Sequence, residues 1–166
     1  LQHVADEAGA TLIVQGSISG TSDHLTLAAW VIGMPGGRTK AQASVEGPAD
    51  SLPILVDRLS AKLLGLAGGV EEHRLASLDG VSPAAIRAFL AGRAAFRRGR
   101  PDQAAVHYRQ AVTIDSAFAV AGLELWRAAG WTKSEADAAL GYRVLRANRG
   151  RLSAPDRTLH DRAVDA

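Results

Sequence analysis

The sequence predicts an α+β chain: a small antiparallel sheet with a covering helix, followed by an all-α helical repeat region. Three observations lead there. Residues 11–46 alternate apolar and polar side chains with the period of a strand. Residues 52–66 carry leucines at spacings of three and four, the stripe of an amphipathic helix. Beyond Ser82 the pattern is helical, and residue types recur 34 positions apart.

Each element follows in order. Leu1 to Glu7 reads as the tail of a helix ending near Gly9. Thr11 to Ser19 sets Leu12, Val14 and Ile18 on one side against Thr11, Gln15 and Ser17. Gly20-Thr21-Ser22-Asp23 has turn composition. His24 to Ile32 is a second strand, with Leu25, Leu27, Ala29 and Val31 sharing a face. Trp30 is read as a strand aromatic packed on the covering helix. Met34-Pro35-Gly36-Gly37 is the next turn, and Lys40 to Glu46 alternates again. Three strands joined by short turns make an antiparallel meander. Asp50 or Ser51 can cap the next helix, and Pro53 suits its first turn. Leu52, Leu55, Leu59, Leu63 and Leu66 form its apolar stripe, and Gly68-Gly69 ends it.

The domain reading is therefore an α/β module over 1–69, a linker over 70–82 and helical repeats over 83–166. Ser82-Pro83 opens the repeats as an N-cap with proline at the first helical position. Ala104 and Ala138 are 34 apart, as are Ala105 and Ala139, Tyr108 and Tyr142, and Arg109 and Arg143. A two-helix unit cannot bury its apolar face alone, so stacked units share one core. Small residues at Ala104 and Ala138 permit close helix approach, and a tyrosine one turn later fills the space.

Composition narrows the function. Apolar residues are 47% and charged residues 22%, which fits a globular chain rather than a disordered one. No apolar run is long enough to span a membrane. The absence of cysteine excludes disulfides, thiolate-bound zinc and a thiol nucleophile. The chain begins at Leu1 without Met or signal-peptide pattern, and is read as a fragment or processed form. Of 19 basic residues 16 are arginine, seven of them between Arg74 and Arg109, yet net charge is only +2. With acidic residues interspersed, this is a solvated helix face, and no direct nucleic-acid partner is expected. His3, His24, His73, His107 and His160 show no metal-ligand spacing. The glycines form no phosphate-binding loop, and Ser17 and Ser19 lie in no nucleophile elbow. No catalytic residue, cofactor or metal is assigned.

Gly92, Gly99, Ala104, Tyr108 and Ala111, then Leu125, Ala138, Tyr142 and Leu145, resemble the tetratricopeptide repeat. Ala95 stands where that family usually has tyrosine, and Ser116 replaces its closing proline. Trp126 occupies a small-residue position, and Gly130-Trp131-Thr132 alters the turn, so the second repeat is degenerate. Ser153 to Ala166 would begin a third unit. The stretch GSISGTSDHLTLAAWVIGMPGG resembles the meander of TolB-like amino-terminal domains, which often precede such repeats in bacterial signalling proteins. Gly33 and Ala41 depart from that family's Asp and Trp. Its usual first strand would lie before Leu1, so the module is read as lacking that strand.

These resemblances imply a non-catalytic protein–protein interaction or sensory region of a bacterial signalling protein, a serine/threonine kinase in the first instance. The alternatives are a regulatory or assembly region of a transcriptional regulator and an enzyme of unrecognised type. The implied location is cytoplasmic or the extracytoplasmic part of a membrane-anchored protein. In the repeat family the first helix of each pair lines a groove. On that spacing Phe89, Arg93, Phe96 and Arg97, with Leu123, Arg127 and Trp131, face it. The arginines would suit an acidic or carboxylate-bearing peptide.

Overall fold

The computed structural model describes residues 2–164. Leu1 and the last two residues of the expected third helical unit lie outside the described residues. The architecture is α+β: a three-stranded antiparallel sheet followed by a helical region, and the chain divides into two compact units after Glu71.

In the first unit, helix α1 (Gln2–Ala8) leads into β1 (Leu12–Gly20), β2 (Leu25–Gly33) and β3 (Arg38–Gly47), in that order across the sheet. The meander expected from alternation is present. Gly16 pairs with Ala29 in the first ladder, and a register shift after Val31 interrupts the second. Gly36 and Gly37 take φ of 108° and 62° in the β2–β3 turn, a backbone that L side chains rarely adopt. A 3-10 turn (Ala49–Ser51) precedes α2 (Leu52–Ala67), and Ser51 makes no side-chain cap bond to it.

The leucine stripe of α2 does what its spacing predicts, over two strands. Leu63 packs with Ala29, Val31 and Ala41, and Leu55 with Leu27 and Val45, with Leu59 against both groups. β1 receives no such cover, so Leu12, Val14 and Ile18 stay exposed. Trp30 is a correction. The odd-numbered residues of β2 face the helix, which leaves Trp30 on the opposite face, beside Gln15 and Gln42.

The second unit contains α3 (Pro83–Arg97), α4 (Pro101–Ile114), α5 (Ala119–Thr132), α6 (Glu135–Ala147) and α7 (Ala154–Val164). The Ser82 hydroxyl caps α3 by accepting from the Ala85 amide, as its sequence position predicts. α4 packs on both α3 and α5, and α5 on α6. Phe89 anchors the interior, 5.8 Å from the Tyr108 ring and 5.1 Å from that of Phe118. Such tilted ring pairs are favourable beyond the area they bury.

The segment read as a linker, 70–82, is ordered instead. Val70 is buried at the end of the first unit. Glu72–Leu78 forms a 3-10 helix that contacts α5, with Arg74, Ser77 and Leu78 buried. Its weak periodicity reflects a three-residue turn, which does not produce the helical stripe sought in the sequence.

Candidate functional site, a tryptophan-walled cleft

The residues expected to line one groove separate in the structure. Phe89 and Leu123 are fully buried and belong to the interior, where apolar side chains between stacked helices gain most from burial. Arg93 lies over the Phe89 ring, 5.9 Å from its centroid, a cation–π contact. Phe96 is half-buried and Arg97 exposed at the end of α3. Arg127 and Trp131 do come together, in an open cleft of about 630 Å³. Trp126, Gly130, Lys133 and Ala138 complete much of its wall.

Local sequence explains this cleft. Lys133 adopts φ 54° between α5 and α6, and Ser134 then caps α6 by accepting from the Asp137 amide. The turn leaves Trp131 at the end of α5 with 73% of its surface exposed. Gly130 adds no side chain, and nothing approaches its Cβ position within 4 Å. Trp126 forms the inner wall, and its ring lies 6.4 Å from that of His160.

Trp126 also changes how its helix pair packs. In the first pair, Tyr108 presses on Gly92, where an added Cβ would lie 2.6 Å from the ring. Trp126 stands 34 residues after Gly92, so Tyr142 cannot repeat that contact. Instead Gly141 approaches the Trp126 backbone, with a hypothetical Cβ 2.6 Å from its amide nitrogen. Tyr142 is half-buried and stacks on His160, with ring centroids 5.9 Å apart. Ala104 is buried as a helix-contact position, whereas Ala138 is only half-buried and lines the cleft.

The electrostatics on either side are those of bonded pairs. Arg74 holds Asp156 through Nε at 3.0 Å and Glu124 through Nη1 at 2.9 Å. Burial works against the Arg74 charge, but these two carboxylates outweigh it and raise its pKa above the ordinary value. Arg127 shares Glu124 at 3.2 Å, which keeps its guanidinium at the cleft margin. Arg109 in α4 grips Asp137 in α6 with two bonds of 2.7 Å. That hydrogen bonding holds the Asp137 carboxyl below the usual range. Burial pushes the Tyr108 phenol well above its own.

No family model, no curated protein and no solved structure matches this chain. The site is therefore read from its own chemistry. Two indole faces, an ammonium, a guanidinium and the Glu135 carboxylate surround a volume within the range of ligand pockets. Among the described residues no group of three His, Asp or Glu side chains is placed to hold a metal. No described helix is long and apolar enough to cross a membrane.

Of the residues expected to share one groove, Arg127 and Trp131 line this cleft, and Trp126, Lys133 and Ala138, which were not among them, line it as well. The available signal was Trp126 itself, a large aromatic at a position where the helix spacing asks for a small residue. The Arg74–Glu124–Asp156 cluster had no signal, because its members are 50 and 82 residues apart.

Proposed function

We propose that this chain is a non-catalytic protein–protein interaction or sensory region of a bacterial signalling protein, with its contact surface on TPR-like helix pairs. The observation that carries the reading is Trp131, an indole 73% exposed on the wall of an open cleft. A large exposed aromatic is costly to leave in water, and tryptophan is among the residues enriched at the centres of binding surfaces. The 34-residue offset between the starts of α4 and α6 supports the repeat reading. The occupant favoured by Arg127 and Lys133 is an extended peptide with a carboxylate, held by charge-assisted hydrogen bonds beside the indoles.

The test is selection of short peptides from a displayed random library on the full chain, with affinities measured by fluorescence anisotropy. Carboxylate-bearing peptides are expected, and Trp131→Ala should weaken them at least about tenfold while circular dichroism stays unchanged. Failure to enrich any peptide, or affinity unaffected by both Trp131→Ala and Lys133→Glu, would overturn the proposal.

A further inference from the structure

The sheet has two edges of different chemistry. β3 carries Arg38, Lys40 and Glu46, charges of the kind that keep an edge from pairing with another chain. β1 reads LIVQGSISG, nine residues without a charge or a proline, and among the described residues it pairs only with β2. Its Leu12, Val14 and Ile18 stand on the face that α2 covers elsewhere, yet they are 54%, 66% and 63% exposed. Beside them a depression of about 310 Å³ lies over Gly16, bordered by Ile18 and Leu59.

The backbone decides which residues this edge offers. The Met34 amide donates to the Thr11 carbonyl at 2.9 Å, and the Thr21 amide donates to the His24 carbonyl at 2.8 Å. Both bonds belong to the register that pairs Gly16 with Ala29. The odd-numbered residues of β1 therefore bond to β2. The even-numbered ones, Leu12, Val14, Gly16, Ile18 and Gly20, direct N–H and C=O to the free edge.

That outward set is self-complementary. An antiparallel copy centred on Gly16 sets Gly16 opposite Gly16, Val14 opposite Ile18, and Leu12 opposite Gly20. Every one is a hydrogen-bonded pair, with Cα atoms about 5.5 Å apart. Val14 and Ile18 then cover each other on the exposed face, and Leu12 gains the space beside a residue with no side chain. The arrangement buries no charge and closes on itself about a two-fold axis. We propose that a second copy of this chain docks on β1, edge to edge about Gly16, joining the two three-stranded sheets into one.

Sedimentation of the full chain from micromolar to submillimolar concentration tests this. The wild type should run as a dimer. Val14→Lys/Ile18→Lys sets like charges opposite each other and should weaken the dimer by at least about tenfold. Val14→Asp/Ile18→Lys should remain dimeric, because the introduced carboxylate faces the introduced ammonium of the other copy. Both positions changed are exposed surface, so circular dichroism should show the same fold. A wild type that stays monomeric would mean that a second copy does not cover this edge, and would overturn the proposal. So would a dimer that survives Val14→Lys/Ile18→Lys, or a monomeric Val14→Asp/Ile18→Lys.

Discussion

The Tyr108 ring rests directly on Gly92, and a Cβ on that glycine would lie 2.6 Å from two of its ring carbons. Both residues are buried, in α4 and α3, so the ring has little room to yield. Gly92→Ala is expected to destabilise by about 1–3 kcal/mol, because overpacking outweighs the gain in helix propensity. Gly130→Ala is the control. It lies in α5 with open space around its Cβ position, and should stabilise by about 0.5–1 kcal/mol. Urea unfolding of both variants checks the pair, and equal effects would refute the contact.

Ala104 is completely buried in α4, whereas Arg98 is exposed at the end of α3. Ala104→Leu should lower stability by about 1–3 kcal/mol, and Arg98→Leu by less than about 0.5 kcal/mol. Thermal melts would show this as a clear difference in Tm between the two variants.

Arg74 neutralises two buried carboxylates, Glu124 and Asp156, and ties the 3-10 helix at 72–78 to α5 and α7. Removing one partner of a buried ionic cluster leaves uncompensated charge, so Arg74→Met should cost about 3–5 kcal/mol. Arg74→Lys keeps the charge and loses the forked geometry, and should fall between the variant and the wild type. A full recovery by lysine in denaturant unfolding would show that charge alone matters.

Asp137 contributes to the acid sensitivity of the second unit. Its folded pKa is depressed by the Arg109 bonds, so its contribution to stability is fully present above the ordinary carboxylate pKa of about 3.9. It is lost as pH falls through the lower, folded value. Asp137→Asn should therefore destabilise at neutral pH and flatten the acid side of the stability profile. A parallel downward shift at every pH would mean that the Arg109 pair does not titrate with folding.

Much of the fold was legible from local pattern. Alternation placed three strands, leucines at Leu55 and Leu63 marked the helix that covers them, and Ser82-Pro83 opened α3. These signals survive because each element must present one apolar face, and that face writes a period into the chain. The cleft was only partly legible. Of the groove residues that the repeat resemblance implied, Arg127 and Trp131 line the cleft, while Phe89 and Leu123 are interior.

What only the tertiary structure decided is which of the apolar faces find cover. Leu12, Val14 and Ile18 alternate as cleanly as Leu27, Ala29 and Val31, yet α2 reaches only the second set. A strand's pattern records which residues share a side of the sheet, not how far a helix extends across it. Likewise Arg74 could not be matched to Glu124 and Asp156 in advance, because their attraction depends on distance in space and on burial. Periodicity is a property of neighbours along the chain, whereas exposure and charge pairing arise between elements that only folding brings together.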